Sequence, residues 1–409
     1  MGQTTARVLV DGRDVPEVTS FEYTSDVLQI AEQATFTVVC KDKKYRDALQ
    51  LGQEVEFVME NPGVRGGAPT VRHRGNIIQR RARAEAGGFT IDVVTADKGW
   101  HLQNNAAPLW FRLQGRTYAD IMDPAVFTVG RDGKRYYFLD PSWGLRGVYW
   151  GNAAIARRRL KLGLAVVKQQ AQKAFDQLQL VQVEAGETCA DIMTTFARRI
   201  NYLVNISPDG FVCVFRPHDT SEPAYSLRLR DGDARNNVIS GEVFEDATSR
   251  YTDVTVVGDP LVPDTFVDPN DVNAQKRRGR IRHEGAMPFL HRNVTADSDM
   301  YTGGLAAQQA QWLYSRGMFD SFAATYTVPE HHQGGLWWEA DALANVDDDE
   351  LGLSGNFYVQ RVRCRGDKRS GDTTEVLLRR PGLLSAGVEI PTPSLYRADS
   401  VKGKPSSAP

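Results

Sequence analysis

Apolar and polar side chains alternate with a period of two along much of this chain. Val55, Phe57 and Met59 alternate with Glu54, Glu56 and Glu60; far downstream, Trp338, Ala340, Ala342 and Ala344 alternate with Glu339, Asp341 and Asn345. That period predicts strands with one buried and one wet face. Ala34, Phe36, Val38 and Cys40 share one face of a further strand. Residues 7–15 read as a strand, an Asp11-Gly12 turn and a return strand, which is hairpin chemistry. Phe21 and Tyr23 extend the pattern, and residues 41–51 predict a short helix or turn.

Two β segments echo one another. Residues 74–97 read RGNIIQRRARAEAGGFTIDVVTAD, and residues 351–381 read LGLSGNFYVQRVRCRGDKRSGDTTEVLLRRP. In each, a Gly-Asn pair opens an apolar run, a Gln-Arg pair follows, alternating arginines lead out, and a turn precedes a second strand. Alternating strands come before both copies. Residues 18–40 and 238–257 also match, each combining a strand, a polar break and another strand. Three modules in the same order predict two related β-domains, one at each end of the chain. Matched strands should face matched cores, with Ile77 and Phe357 inward and Arg80 and Arg361 at equivalent outward or interface positions.

Between the ends the period becomes helical. Leu160, Leu164, Val167, Ala171, Ala174, Phe175 and Leu178 share one face of a basic helix over residues 153–180, read as packing its stripe on its own protein. In residues 183–217, Thr188 and Asp191 predict a capping box, and Ile192, Phe196 and Ile200 a helix face. Two strands follow around the turn Ser207-Pro208-Asp209-Gly210. Residues 304–317 predict a helix with Leu305, Gln308, Trp312 and Tyr314 at its core, and residues 259–300 a long, partly mobile excursion. The fold class expected is α+β, mainly β: two similar tube-like β-barrel domains with an α/β region between them. The expected boundaries are a first barrel at 1–102, an aromatic and helical insert at 103–181 and a helix-hairpin domain at 182–235. A second barrel follows at 236–385, with an inserted loop and helix at 259–317, and then an extended tail at 386–409.

Composition narrows the classes. At 409 residues the chain exceeds the usual size of one core, while 41% hydrophobic and 24% charged residues are ordinary for a globular protein. A formal net charge of −2 implies no bulk affinity for nucleic acid or anionic membrane. Cys40, Cys189, Cys213 and Cys364 have no metal-type spacing and read as small core residues of a protein made in a reducing cytosol. Ala6 stands where a myristoylation motif needs Ser or Thr, and no secretory or membrane-spanning run is expected.

Candidate chemistry adds little. The chain holds no G-x-S-x-G elbow, H-E-x-x-H, P-loop or dinucleotide fingerprint. Glu54, Glu56 and Glu60 read as an ordinary wet face rather than a glycosidase pair. His331 and His332 are adjacent and read as loop residues that do not share a metal. The run Asp347-Asp348-Asp349-Glu350 lacks the spacing of a calcium loop and reads as a solvated acidic turn. The basic residues 276–282 read as a charged surface loop. Trp110, Tyr136, Tyr137, Phe138, Trp143, Tyr149 and Trp150 read as packing an irregular insert. No catalytic, cofactor-binding or metal-ligating residue is expected, which points to a structural or binding protein.

The order of parts resembles the baseplate hub proteins of contractile-tailed phages, a family shared with the hub half of type VI secretion spike proteins. The phrases carrying the resemblance begin with VLVDGRDVPEVTSFEYTSDVLQIAEQATFTV and GETCADIMTTFARRINYLVNISPDGFVCVF. An Asn-x-Ile start at 237–246, a Tyr-x-x-Val strand leading into Val-Gly, the R-I-R-H-E turn and a helix ending in Trp and Arg follow. A Gly-x-Leu-Trp strand and the closing LLRRPGLL complete the order. Residues 110–180 match nothing in that family, and the tail carries no β-repeat spike. The resemblance implies a homotrimer of two barrels per subunit, adapting a sixfold tail tube to a threefold central spike. It implies as partners a separate tail spike protein, a tail tube or distal tube protein, baseplate wedge and tape measure proteins. It implies DNA passing through the channel unread, no cofactor, no membrane, and a place in the virion baseplate after assembly in the host cytoplasm. The alternatives are a phage-borne cell-wall hydrolase and a carbohydrate- or receptor-binding module.

Overall fold

A computed structural model describes residues 4–15, 18–41, 43–64, 69–85, 88–107, 121–122, 145, 147–150, 183, 185–199, 202–218, 222–257, 278–282, 290–295, 303–369 and 371–384. The helix expected at 153–180, most of the aromatic insert and the tail lie outside the described residues. In chain order the strands and helices of the first part are β1 (Thr5–Val10), β2 (Arg13–Val15), β3 (Val18–Asp26), β4 (Gln33–Cys40), α1 (Lys43–Ala48), β5 (Glu54–Glu60), β6 (Thr70–Glu85), β7 (Gly88–Asp97) and α2 (Gly99–Asn104). Then come β8 (Gly147–Trp150), α3 (Cys189–Arg199), β9 (Leu203–Ile206), β10 (Phe211–Phe215), β11 (Tyr225–Leu229), β12 (Ser240–Glu245), β13 (Asp253–Val257), β14 (Arg278–Arg282), β15 (His291–Thr295) and α4 (Gly303–Asp320). The chain closes with β16 (Phe322–Pro329), β17 (His332–Gln333), β18 (Leu336–Trp337), β19 (Ala342–Asp348), β20 (Leu353–Asp367) and β21 (Gly371–Arg379).

The fold is mainly β, as the alternation predicts. Thirteen strands share one sheet. One part runs β3-β4-β7-β6-β5-β1-β2, the other β12-β16-β21-β20-β19-β11, and they join where β20 pairs antiparallel with β3. The order β3-β4-β7-β6-β5 thus recurs as β12-β16-β21-β20-β19. The two ends of the chain, separated in sequence, are hydrogen-bonded neighbours. β11 already belongs to the second part, pairing in parallel with β19.

The echoing hairpins are β6–β7 and β20–β21, and each carries one β-bulge. The register of β6 against β7 shifts between Ile77 and Gln79, and that of β20 against β21 between Val359 and Arg361. Aligned on those bulges, Ile77 corresponds to Val359, Gln79 to Arg361, Arg81 to Arg363 and Arg83 to Arg365. This corrects the equivalence expected from the Gly-Asn and Gln-Arg pairs. Phe357 lies opposite buried Ala344 on the core side, yet is only partly buried. Arg80 lies opposite buried Val93, turning inward, while Arg361 keeps to the other face. A bulge inserts one residue and so flips every later face.

Each part buries its own apolar face. Tyr23, Phe36, Phe57, Ile77 and Val93 belong to one cluster, and Tyr326, Val346, Val359, Val362 and Val376 to the other. Two adjacent tryptophans bind the parts together. Trp337 enters the first core and Trp338 the second, where it stacks on Tyr225 at 4.2 Å. Between them reaches Arg72, the extra residue of a bulge in β6 against β5. Its guanidinium is buried, donating to the Trp338 carbonyl at 2.8 Å and to Glu339 at 3.1 Å.

The alternation expected over Trp338–Ala344 is broken at Asp341, whose φ is 62°. Its carboxylate accepts from the His218 backbone N–H and the Tyr358 hydroxyl, which fixes the break. The Thr188–Asp191 capping box starts α3 as expected. That helix packs on the sheet β8-β10-β9 through Ile192, Met193 and Phe196. Residues 278–282 and 291–295, expected within a loop, are strands flanking β13. The reason is compensation: Arg280 pairs with the buried carboxylate of Asp253, while Val254 and Val256 pack against α4. In α4 the buried positions are Ala310, Tyr314, Met318 and Phe319, and Trp312 is only partly covered; the side chains of Leu305 and Gln308 lie outside the described residues.

Candidate functional site

Away from the two cores, the shared sheet presents a second face that is mainly polar through its middle, interrupted by Val94 opposite Thr35 and Leu377 opposite Arg361. Strand alternation puts Glu22 and Thr24 of β3, Thr35 and Thr37 of β4, and Asp92 of β7 on it. Across the junction, Arg361, Arg363 and Arg365 of β20 and Glu375 of β21 continue the same surface. These strands enclose a shallow trough of about 620 Å³, lined among others by Ser20, Glu22, Thr37, Asp92, Arg365 and Thr373.

The charges of this face are arranged in pairs. Glu22 receives Arg363 at 2.6 Å and Arg365 at 3.0 Å, tying β3 to β20. Glu375 takes Arg361 at 3.2 Å. Arg365 also reaches Glu375 at 3.9 Å, and in the first part Arg83 meets Asp92 at 2.9 Å, the counterpart of that longer contact. Close approach of the backbones at the junction depends on Gly366. A Cβ there would fall 2.1 Å from the Phe21 ring, which packs against Phe57 with centroids 5.0 Å apart.

Behind the face lies a buried polar seam. Asp97 accepts from the backbone N–H groups of Glu32 and Gly99, at 2.9 and 2.8 Å. Burial, reinforced by the charge of Glu32, holds the Asp97 carboxyl well above the usual carboxylate range. Glu32 accepts from the Tyr23 hydroxyl at 2.7 Å and from Ser25. The buried ring of His73 lies 3.0 Å from the Thr95 hydroxyl, whose own hydrogen goes to the Ala34 carbonyl, so the His73 Nε2 donates. Burial first, and the neighbouring Lys98 second, push the His73 pKa down to about 3.

The residues singled out from sequence do not converge. Lys98 takes Glu54 at 2.7 Å and Arg74 takes Glu56 at 2.8 Å, so both are ion-paired. His331 is buried against Thr374 at 2.9 Å, whereas His332 turns to the Trp337 ring. The acidic run is not simply solvated. Asp347 binds Arg228 and Arg230, and Asp348 is buried, accepting the Tyr326 hydroxyl at 2.6 Å. Its other carboxylate oxygen accepts from the Leu351 backbone N–H at 2.9 Å, closing the turn after β19. All four cysteines are buried and free. Among the described residues, no group of three or more His, Cys, Asp and Glu could hold a metal ion, and no helix is long and apolar enough to cross a membrane. The sequence reading missed the Glu22–Arg363–Arg365 knot. Its trace was the spacing Arg361-x-Arg363-x-Arg365, which puts three like charges on one face of a strand and requires acids nearby.

No family model and no curated protein matches the chain. Solved structures do. A tail protein from Neisseria meningitidis MC58 superposes with a TM-score of 0.70 at 18% identity, over 93% of this chain and 98% of that one. The 43 kDa tail protein of prophage MuSo2 from Shewanella oneidensis gives 0.67 at 16% identity, over 93% and 99%. A chain of the lidded Francisella PdpA-VgrG complex gives 0.52 at 9% identity, over 96% of this chain and 54% of that one. At such identities the likeness concerns the fold. The chain has the fold of phage tail proteins, as the order of its sequence phrases predicts.

Proposed function

We propose that this protein is a baseplate hub subunit of a contractile phage tail or a related injection machine. Three copies would adapt the sixfold tail tube to a threefold central spike. The observation that carries this reading is the repeated strand order within one sheet, with a bulge at the matching place in each repeat. Two like modules per chain let a threefold ring present six similar surfaces. The polar face would line the channel. Its arginines are mostly neutralised by Glu22, Asp92 and Glu375, so it offers few unpaired cations to DNA phosphates. Such a wall would let DNA pass without gripping or reading it.

In this reading the subunit has no catalytic activity, resides in the virion and works with separate spike, tube, wedge and tape measure proteins. Light scattering of the purified chain, alone and with its spike, tests the assembly; three chain masses are expected, and a stable monomer or dimer in both conditions overturns it. Turnover of purified peptidoglycan, abolished by a point substitution in this chain, would instead support the hydrolase alternative.

A further inference from the structure

Within the chain, β20 is paired along both edges over Arg361–Asp367, with β21 on one side and β3 on the other. Its counterpart β6 is paired over the matching stretch with β7 alone, because β5 covers it only from Thr70 to Asn76. The counterpart of β3 is β12, whose described pairing is with β16 alone. Among the described residues, one half of the sheet therefore contains a strand junction, and the other carries its two components unjoined.

We infer that β12 of one copy of this chain pairs antiparallel with the open edge of β6 in a second copy, repeating the β3–β20 junction. The register follows from the internal one. Thr35 and Thr325 are equivalent through their pairings with β7 and β21, so Glu22, opposite Thr35, corresponds to Glu242, opposite Thr325. Since Glu22 holds Arg363 and Arg365, Glu242 would hold the partner's Arg81 and Arg83. The sizes match as well. Where β3 brings Phe21 over Gly366, β12 brings Gly241 over the partner's Ala84.

The exposure of both edges fits this occupant. Arg81, Ala82, Arg83 and Ala84 are all exposed, and Phe244 is 58% exposed beside Glu242. Unpaired strand edges with a large apolar side chain are normally blunted or covered. An acidic edge and a basic edge on the same chain join head to tail, so copies continue the sheet until a ring closes. The inference rests on the hub reading for the number of copies, three, but not for the pairing itself.

Cysteine cross-linking tests it, because Cys364 opposite Tyr23 translates into Ala82 opposite the partner's Val243. The double variant Ala82→Cys/Val243→Cys, mildly oxidised, should give covalent dimers and trimers that neither single variant gives. The native cysteines are buried and leave the background low. A trimer by light scattering without these cross-links overturns the pairing and leaves the hub reading standing. Cross-links in a ring of another size uphold the pairing and overturn the hub reading. A monomer without cross-links overturns both. As a check independent of cysteine placement, Glu242→Arg should reduce assembly at least tenfold, and Arg81→Glu/Arg83→Glu added to it should restore assembly. Assembly unchanged by Glu242→Arg contradicts the pairing.

Discussion

The two parts of the sheet have the same strand order and opposite states of completion. In the second part, β20 is sealed by β3 through backbone pairing, a glutamate gripping two arginines and a glycine that admits a phenylalanine. In the first part, the corresponding Arg81 and Arg83 of β6 are exposed, with Arg83 held by Asp92 of its own hairpin and no glutamate from a strand on the far side. The difference shows what a repeat within one chain can do that a repeated chain cannot. One junction is made intramolecular, and under the proposed pairing the other is left for a second copy. A fully symmetric molecule would have both edges open and would gain nothing from its own covalent link.

The largest expected effect comes from severing the parts. Replacing Arg72 with Ala leaves Glu339 without its buried partner and removes the bridge to Trp338, at a cost of about 3–5 kcal/mol. Chemical denaturation should show it, and loss of two-state behaviour would reveal that the parts can unfold separately. Gly366→Val attacks the sealed junction. The added carbons meet the Phe21 ring, and overpacking of this kind costs about 1–3 kcal/mol. The matching change on the open edge, Ala84→Val, should leave the melting temperature of the dissociated chain nearly unaltered, a contrast that differential scanning fluorimetry can read.

Acid sharpens the contrast from within the first core. Burial depresses the folded-state pKa of His73 to about 3 from the ordinary 6.5 of a histidine, so its contribution is present above pH 6.5 and is lost as pH falls toward 3. At pH 5 the loss is about 2 kcal/mol relative to neutral pH. Urea midpoints of the wild type and His73→Gln should converge as pH drops; parallel curves would show that His73 is not the titrating group. The smallest effect is on the surface. Glu22→Gln should cost no more than about 1 kcal/mol, since its ion pairs are solvated.

Much of the strand architecture was legible in alternation and turn chemistry. Asp11 and Gly12, at φ 49° and 74°, make the predicted hairpin turn, and Val55, Phe57 and Met59 are buried as their spacing requires. The repeat was legible in its hairpins but not in its register. The match of residues 18–40 to 238–257 was wrong for the second strand, because the counterpart of β4 is β16 while β13 belongs to a separate sheet. Matching Gly-Asn and Gln-Arg pairs ignores the bulge, because sequence spacing does not show where a ladder absorbs an extra residue. Counting back from the turns would have done better, since Arg81-x-Arg83 and Arg363-x-Arg365 lie at matched distances opposite Asp92 and Glu375. β14 hid for a different reason. A run such as Arg278–Arg282 reads as solvated until the buried Asp253 that balances it is known. The candidate face was harder still, because its knot joins residues 22 and 365, and no local pattern reports a contact across that separation.

Amide hydrogen exchange on the assembled wild type and on Glu242→Arg addresses the unequal edges most directly. In Glu242→Arg, amides along the β3–β20 junction should stay protected, while those of Arg81–Ala84 and of β12 exchange rapidly. In the wild type, both stretches should be protected together, and to a degree that rises with protein concentration. Fast exchange at Arg81–Ala84 and β12 in a wild-type sample shown to be oligomeric would contradict the claim that assembly completes the open half of the sheet.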